Sequence, residues 1–522
     1  MSGAVLWTGG RVFTGARYVE SLLIEDGRVI GAGPLDALRR LAPTGTEHRD
    51  LEGRLVLPGL IDPHLHLTEI ARVRDGLDLS GTRSLEELVS AVALWGASHP
   101  SGPIVGRGWD PERWSGRTWP DAFALDRAVR DRPVVLYHVS GHAAVVNGAA
   151  LEEIGVTAAG STRSDPTIGQ YSDGRPNGLL FEDALRPLAG IARAAAPVGP
   201  DQLAATLAEI SRGGITAVGS MGASPDEVGA LEALESGGRL GLTVRAYVRL
   251  SDRAIGGNRR PSSAVGRFRI AGVKAYVDGA FGTRTAWLAE PYADSPGSSG
   301  LAVGEEATLA AELSEAADLG LAPALHAIGD RAAERAVRLL EPLRGRTRAP
   351  PRIEHAALLP PGLYAALDRV RPTLVVQPGF VWSDGWLADR LGAIRARTAY
   401  RFRTLFDRGV LLAASSDAPF DPVDPWRGIR AAVRRRGPSG RSANPDPGEA
   451  LTAEAAVYLY SAGAAGALGL EDRGRLEPGS AADLVVLSCP DLIRALDGAV
   501  SPVEETWVDG QCLYRADGSL TG

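Results

Sequence analysis

The chain has 522 residues, of which 44% are hydrophobic and 23% charged, as expected for a soluble globular protein with a core that needs no disulfides. Its formal net charge of −7 and its pI near 5.8 argue against recognition of nucleic acid by general electrostatics. The only two cysteines do not form a Cys-x-x-Cys pattern, which argues against a thiolate zinc site or a redox motif.

Both ends of the chain have sequence patterns typical of short β-strands. Short apolar runs separated by turns such as Glu25–Arg28 fill residues 1–57, and similar runs fill residues 475–522. An acidic-Gly turn between apolar runs is a hairpin signal. We therefore predict a small β-sandwich domain built from both chain ends. No signal peptide and no apolar run long enough to span a membrane is visible, so we expect a cytoplasmic protein.

The middle of the chain, residues 58–474, alternates strand and helix patterns, which predicts a parallel sheet with crossover helices. Eight such units predict an α/β fold, a closed (β/α)8 TIM barrel. The predicted strands are Leu55–Leu67, Ile215–Met221, Leu242–Leu250, Phe268–Val277, Pro323–Ile328, Arg352–Ala356, Thr373–Gln377 and Val410–Ser415. The predicted helices include Ala307–Leu319, Arg331–Leu343, Gly362–Val370 and Ala393–Arg408.

One connection between predicted barrel strands is unusually long. Roughly 150 residues separate the first predicted strand from the second, far more than a barrel connection needs. We therefore predict an inserted subdomain at about 70–205. It contains a Gly- and Trp-rich segment, Gly106–Asp110, and an apolar strand, Pro133–Val139, followed by Ser-Gly-His.

Four of the eight histidines lie at or near the ends of predicted barrel strands. His64 and His66 are two residues apart on a strand, so their side chains share a face. His326 and His355 close two later strands. The carboxyl ends of barrel strands are where barrel active sites form, and imidazole nitrogen is a good zinc ligand. A lone His-x-His is a weak signal, but four such positions together predict a metal site.

Two further residues fit the chemistry of such a site. Asp417 follows an apolar strand and offers a carboxylate that takes a proton from a metal-bound water, whose pKa falls to about 7. An Asp in a turn before proline is the alternative explanation. Lys274 lies within an apolar strand, where burial favours the neutral amine. A neutral amine reacts with carbon dioxide to give a carbamate, an oxygen ligand that bridges two metals. An outward-facing lysine is the alternative.

Together these segments resemble the amidohydrolase superfamily, and most of all its family 3 branch, which includes N-substituted formamide deformylase-like enzymes. The resemblance covers nearly the whole chain. It is carried by LPGLIDPHLH at 57–66, the region 273–286, HAIGD at 326–330, RIEHA at 352–356, SDAP at 416–419 and GRLEPGSAADLV at 474–485. In the insertion it is carried by Gly108-Trp109-Asp110, Leu125-Asp126, Arg132-Pro133-Val134, Gly141-His142 and Val146-Asn147.

The resemblance implies a role for each candidate residue. The implied metal ligands are His64, His66, His326, His355 and Asp417, with Lys274 as the carboxylated bridging lysine and Asp417 also as general acid/base. The cofactor implied is one or two Zn²⁺ ions, with other divalent metals left open. Two departures, Ser416 in place of glycine and 280–283 (AFGT) in place of Ser-Leu-Gly-Ser, remove no ligand and bear on substrate more than on mechanism.

Substrate contacts are harder to read from the sequence. His142, Trp109, Arg284 and Gln377 are the candidates, and a structural role is an equal alternative for each. We expect hydrolysis of an amide or N-substituted formamide-like C–N bond in a small-molecule substrate. Deamination, lactone hydrolysis or decarboxylation on the same site, and a non-catalytic binding protein, are the alternatives. No nucleic-acid or membrane partner is expected, and a homodimer is left open.

Overall fold

The computed structural model describes residues 3–156, 165–257, 266–347 and 349–518. These residues form two compact units. The first lies within Met1–Leu67, Pro200–Asp278 and Ala286–Gly522, and the second within Thr68–Gly199 and Gly279–Thr285.

The first unit is built on eight parallel strands, each hydrogen-bonded to the next in chain order. At the carboxyl ends of the first and last strands, Asp417 N–H donates to His64 O at 2.9 Å and His66 N–H to Ala418 O at 2.8 Å. The predicted α/β fold with an eight-stranded barrel is confirmed. The barrel strands are β1 (Leu60–Leu65), β2 (Ile215–Ala223), β3 (Thr243–Arg249), β4 (Phe268–Tyr276), β5 (Ala322–Ala327), β6 (Arg352–His355), β7 (Thr373–Val376) and β8 (Leu412–Ala414).

The predicted first strand, Leu55–Leu67, is in fact two strands in different sheets. Leu55–Pro58 pairs with strands of the chain ends, and only Leu60–Leu65 belongs to the barrel. The change of sheet takes place at Gly59, whose N–H donates to Asp483 O at 2.8 Å. A Cβ on Gly59 would lie 2.4 Å from Thr216 Oγ1, so the close approach to β2 requires glycine.

Helices of the first unit follow the barrel strands, and several begin at recognisable caps. Pro225–Ser236, for example, begins after Ser224, whose hydroxyl accepts from Glu227 N–H at 3.2 Å.

No helix in the described part of the chain is both long and apolar enough to cross a bilayer. The helices are Leu35–Leu41, Pro200–Ser211, Pro225–Ser236, Ala254–Gly257, Glu306–Asp318, Asp330–Leu340, Tyr364–Val370, Phe380–Ser383, Leu387–Leu391, Ala393–Ala396, Phe402–Asp407, Pro425–Arg434, Ala453–Leu459, Ala462–Ala467 and Leu492–Asp497.

The helix predicted over Ala393–Arg408 is interrupted. Two short helices, Ala393–Ala396 and Phe402–Asp407, replace it. Between them Tyr400 has a left-handed φ of 53°, which no α-helix accommodates, and its N–H donates to Ala357 O at 2.9 Å. A tertiary hydrogen bond therefore overrides the local helical pattern.

Strands from the two chain ends pair directly. Leu484–Leu487 is antiparallel to Leu55–Pro58 in a six-stranded sheet, and a four-stranded sheet is formed by N-terminal residues alone. Side chains of both sheets, including Trp7 and Trp507, form one apolar cluster. In sheet order the strands are Gln511–Arg515, Val503–Val508, Leu484–Leu487, Leu55–Pro58, Arg11–Phe13 and Tyr18–Val19, then Arg28–Gly33, Ser21–Glu25, Ala4–Thr8 and Glu47–Asp50.

The second unit has its own six-stranded sheet and its own apolar clusters. Trp109, Leu136 and Val145 are fully buried at the centre of one of these clusters. In sheet order the strands are Ile168–Gln170, Pro176–Phe181, Ala143–Val146, Val134–His138, Ile104–Trp109 and Leu77–Asp78, and the helices are Leu67–Asp75, which begins at the boundary, Leu85–Ser98, Ala122–Ala128, Gly148–Glu153 and Leu188–Ala195.

Candidate metal centre

The predicted ligands lie on or just after the carboxyl-terminal parts of five barrel strands. Because parallel strands all end at the same face of a barrel, these side chains meet there. His64 and His66 come from the end of β1, Lys274 from β4, His326 from β5, His355 from the end of β6 and Asp417 from the loop after β8.

The Asp417 carboxylate lies at the middle of the cluster. His64 Nε2 is 3.0 Å and His66 Nε2 3.3 Å from Asp417 Oδ1, and His355 Nδ1 is 4.0 Å from Oδ2. One ligand atom each from His64, His355 and Asp417 lie within 4.8 Å of one another. This spacing fits three donors around one cation.

His326 and Lys274 lie beside this group. The ring of His326 is centred 4.4 Å from that of His355, and both are buried. Lys274 is also buried, with Nζ 5.1 Å from the centre of the Tyr276 ring. The negative charges of Glu354 and Asp417 stabilise its ammonium form, although burial opposes that form. The structure therefore brings all six side chains together.

Three of the histidines have Nδ1 bound to a hydrogen-bond acceptor. The acceptors are Glu354 Oε2 for His64 at 2.6 Å, the Met221 carbonyl for His66 at 3.0 Å and Gln377 Oε1 for His355 at 2.8 Å. Each contact needs a hydrogen on Nδ1, so Nε2 of each neutral ring keeps its lone pair. This is the tautomer in which imidazole binds a metal through Nε2.

Two buried atoms show why a cation fits between these groups. Neither His64 Nε2 nor Asp417 Oδ1 has a hydrogen-bond partner among the residues that the structure describes. They face each other at 3.0 Å, and with Nδ1 donating to Glu354 both present lone pairs. A buried polar atom without a partner is costly, and a shared cation removes the cost at both atoms. The donor set, imidazole nitrogen with carboxylate oxygen, suits zinc and neighbouring divalent metals.

The electrostatics of the cluster favour the metal-binding protonation states. Burial lowers the pKa of His355 to about 3, which keeps its imidazole neutral at neutral pH. Burial opposes ionisation of Asp417, but positive charge on the neighbouring histidines lowers its pKa well below the ordinary value, and a bound cation would supply that positive charge when the rings are neutral. Burial lowers the pKa of Lys274 to about 8 against the opposing charges of Glu354 and Asp417. A neutral amine is therefore accessible at this lysine near physiological pH.

The backbone at two of these residues is strained. His355 has φ 70° and Asp417 has φ 60°, in the left-handed region that residues other than glycine rarely adopt. The Asp417 N–H bond to the His64 carbonyl stabilises this geometry. Backbone strain of this kind clusters at functional sites, where it holds side chains in place.

Sequence reasoning assigned no role to the residues that support the ligands. Arg352 binds both oxygens of Glu354, through Nε at 2.7 Å and Nη2 at 2.8 Å. Asp62 accepts from the backbone N–H groups of His64 and Ser416, each at 3.2 Å. Charged residues inside apolar strands, as in RIEH and LIDPH, are the sequence signal that marks them.

Gln377 lies inside the cluster, and both its amide nitrogen and its amide oxygen form hydrogen bonds. Its amide nitrogen donates to Ser415 Oγ at 2.9 Å and to Val375 O at 3.3 Å, which directs Oε1 at His355. Only 1% of the residue is exposed. The structure thus places Gln377 as the partner that orients His355, and its contact with substrate stays a prediction.

The other three predicted substrate contacts belong to the second unit. Trp109 is fully buried, and its indole N–H donates to Leu136 O at 2.9 Å, so it contributes to the core of that unit. His142 Nδ1 is 2.8 Å from Glu182 Oε2. Arg284 is half-buried with a left-handed φ of 58°. Their roles toward a substrate stay predictions.

Comparison with known proteins gives a consistent picture. The sequence pattern described as "Amidohydrolase family" matches residues 47–514. The chain is 32% identical to the putative amidohydrolase YtcJ of Bacillus subtilis, over 98% of this chain and 99% of that protein. It is 25% identical to N-substituted formamide deformylase of Arthrobacter pascens, over 96% of each.

A solved structure agrees with these sequence relatives. An uncharacterized metal-dependent hydrolase from Pyrococcus horikoshii is 30% identical and superposes with a TM-score of 0.77, covering 95% of this chain and 99% of the other. The family pattern spans most of the chain, and the similarity to relatives and to this structure extends over nearly all of it. The chain therefore belongs to the amidohydrolase family, in its family 3 branch.

Proposed function

We propose that this protein hydrolyses a C–N bond in an amide or N-substituted formamide-like group of a small molecule, with water activated at the centre described above. The family and the similarity to a metal-dependent hydrolase support the broader class, a metal-dependent hydrolase. The name of the Arthrobacter relative supports the choice of bond. The observation that carries the proposal is the convergence of His64 Nε2 and His66 Nε2 on Asp417 Oδ1.

The residues that would hold the metal are the six already described, His64, His66, Lys274, His326, His355 and Asp417. We propose zinc, as one ion or two, because its preferred donors are imidazole nitrogen and carboxylate oxygen. A divalent ion held by these residues would lower the pKa of water and polarise a carbonyl. A carbamate on Lys274 would add an oxygen donor, and the lowered pKa of this buried amine supports that reaction.

Asp417 is the residue that we assign to proton transfer. Its carboxylate is ionised, buried and adjacent to three imidazoles, so a carboxylate oxygen is available to accept a proton from the attacking water. The same group then returns that proton to the departing nitrogen as the C–N bond breaks. The products are a carboxylic acid, or formic acid from a formamide, and an amine. A cytoplasmic location and a small-molecule substrate complete the proposal.

The experiment is a turnover screen with purified, metal-loaded protein. Amides, N-substituted formamides, lactones and cyclic imines are offered in parallel, with release of amine and of acid measured separately. We expect amine release, and a loss of about 100- to 10,000-fold in kcat for Asp417→Asn.

Asp483→Asn is the matched control. Asp483 is buried and paired with Arg473. It directly precedes the strand Leu484–Leu487 and lies outside the metal cluster, so this variant should keep its activity. Wild-type turnover in Asp417→Asn would contradict the role of Asp417. Hydrolysis of lactones without any amide would contradict the choice of bond.

A further inference from the structure

We infer that the buried Arg352–Glu354 ion pair is a positioning device for His64 and sets the affinity of the centre for its metal. This inference rests on the proposed function, because it treats His64 as a metal ligand. We assign to Arg352 and Glu354 no contact with substrate or metal. They act through His64.

The geometry joins the pair to His64 at two points. Glu354 Oε2 accepts from His64 Nδ1 at 2.6 Å. Arg352 Nη2 donates to the carbonyl of Pro63, the residue before His64, at 2.9 Å. The side chain of His64 and the backbone that leads into it are thus held by the two members of one ion pair. Arg352, Glu354 and His64 are all 0% exposed.

The pair itself is rigid. Arg352 binds Glu354 through two nitrogens, in a bidentate arrangement that fixes the plane of the guanidinium relative to that of the carboxylate. The Arg352 guanidinium also lies 4.6 Å from the centre of the Tyr247 ring, which is fully buried in the barrel. The carboxylate therefore has little freedom to leave His64.

Comparison of the three acceptor-bound histidines shows what is special about His64. His66 donates to a neutral backbone carbonyl and His355 to a neutral amide oxygen. Among these three, His64 alone has an anionic acceptor. A carboxylate that accepts from one ring nitrogen raises the basicity of the other, which strengthens the bond to a cation. Among these three histidines, we therefore assign to His64 the largest share of the affinity that their hydrogen-bond acceptors supply.

A simpler role for the pair is to brace β6 inside the barrel. The two roles differ in their response to removal of both charges. A buried ion pair replaced as a whole by neutral groups often costs little stability, whereas loss of one partner is costly. If the pair only braces the fold, a neutral double variant recovers stability and metal affinity together. If it positions and polarises His64, stability returns and affinity does not.

The experiment compares Zn²⁺ affinity and unfolding in the full-length protein. Affinity is measured by competition with a chromophoric chelator, and stability by thermal unfolding of the metal-free protein. Arg352→Met/Glu354→Gln removes both charges and keeps an acceptor near His64. We expect metal-free unfolding close to the wild type but Zn²⁺ affinity lower by about 10- to 100-fold. Asp483→Asn, which disrupts the Arg473–Asp483 pair outside the centre, should leave the affinity unchanged.

A second variant decides the question if the double variant does not fold. Glu354→Asp keeps the charge beside Arg352 but withdraws the carboxylate from His64 by one methylene, so it should lower the affinity as well. Wild-type affinity in the double variant, or in Glu354→Asp, would overturn the inference. Failure of the wild-type protein itself to bind Zn²⁺ or another divalent ion would instead overturn the proposed function.

Discussion

The substitution Gly219→Ala tests whether the close packing of β2 against β1 positions the proposed ligand His64. Gly219 lies in β2, next to β1, and a Cβ at this position would lie 2.2 Å from the Pro63 carbonyl oxygen and 2.7 Å from the Pro63 carbonyl carbon. Because real Cβ atoms essentially never come within 3.0 Å of another heavy atom, the backbone must move. A close-packed interior offers no empty space for this methyl group, so we expect β1 to retreat by roughly 1 Å.

The effect should be larger on function than on stability. Pro63 precedes His64, so the displacement reaches a proposed ligand directly. A misplacement of about 1 Å costs on the order of 100-fold in rate, whereas overpacking costs about 1–3 kcal/mol of unfolding free energy. The assay pairs kcat/KM with Zn²⁺ affinity and denaturant unfolding. We expect a folded variant with about 100-fold lower kcat/KM and weaker Zn²⁺ binding.

Gly229→Ala is the matched control. Gly229 is exposed inside the helix Pro225–Ser236, and a Cβ there would meet nothing within 4 Å. Alanine in a helix interior is favoured over glycine by about 0.5–1 kcal/mol, so this variant should be slightly more stable and fully active. If Gly219→Ala keeps wild-type kcat/KM and Zn²⁺ affinity, the approach of β2 to Pro63 does not position His64.

Three further predictions concern the same centre. Removal of the metal by a chelator should lower the melting temperature of the wild type, because a ligand at about 100 times its Kd contributes about 2.7 kcal/mol, and should leave His64→Ala unchanged. Gln377→Leu leaves the His355 Nδ1–H without its acceptor, so we expect a loss of about 1–3 kcal/mol in denaturant unfolding together with weaker Zn²⁺ binding. Lys274 has a pKa of about 8 in the folded protein against 10.5 when exposed. The unfolded chain therefore holds this proton more tightly, and the stability of the metal-free protein should rise from pH 8 towards 10.5, an increase that Lys274→Met should abolish and a pH series of thermal melts would detect.

The metal cluster was predictable because the topology of the fold is simple. His64, His326 and His355 stand at the ends of separate predicted strands, and parallel barrel strands all end at one face. Once eight alternating strand and helix patterns are recognised, residues far apart in the chain are expected to meet. For Lys274 the sequence left an outward-facing side chain as the alternative, and the structure shows that the side chain is buried.

The supporting contacts were not predictable, because they depend on tertiary geometry. Nothing in the local sequence shows that Glu354 faces His64 across the barrel, or that the Gln377 amide is directed at His355 by Ser415. Likewise, the segment from Leu55 to Leu67 was predicted as one strand, and its division between two sheets at Gly59, where Thr216 leaves no room for a Cβ, depends on tertiary packing.

Anomalous X-ray diffraction from crystals grown with Zn²⁺ tests the central claim most directly. We predict a peak about 2.0–2.2 Å from His64 Nε2 and from an oxygen of Asp417, to one side of the line that joins those two atoms. A protein that turns over amides with no peak there, or with its metal bound elsewhere, would contradict it.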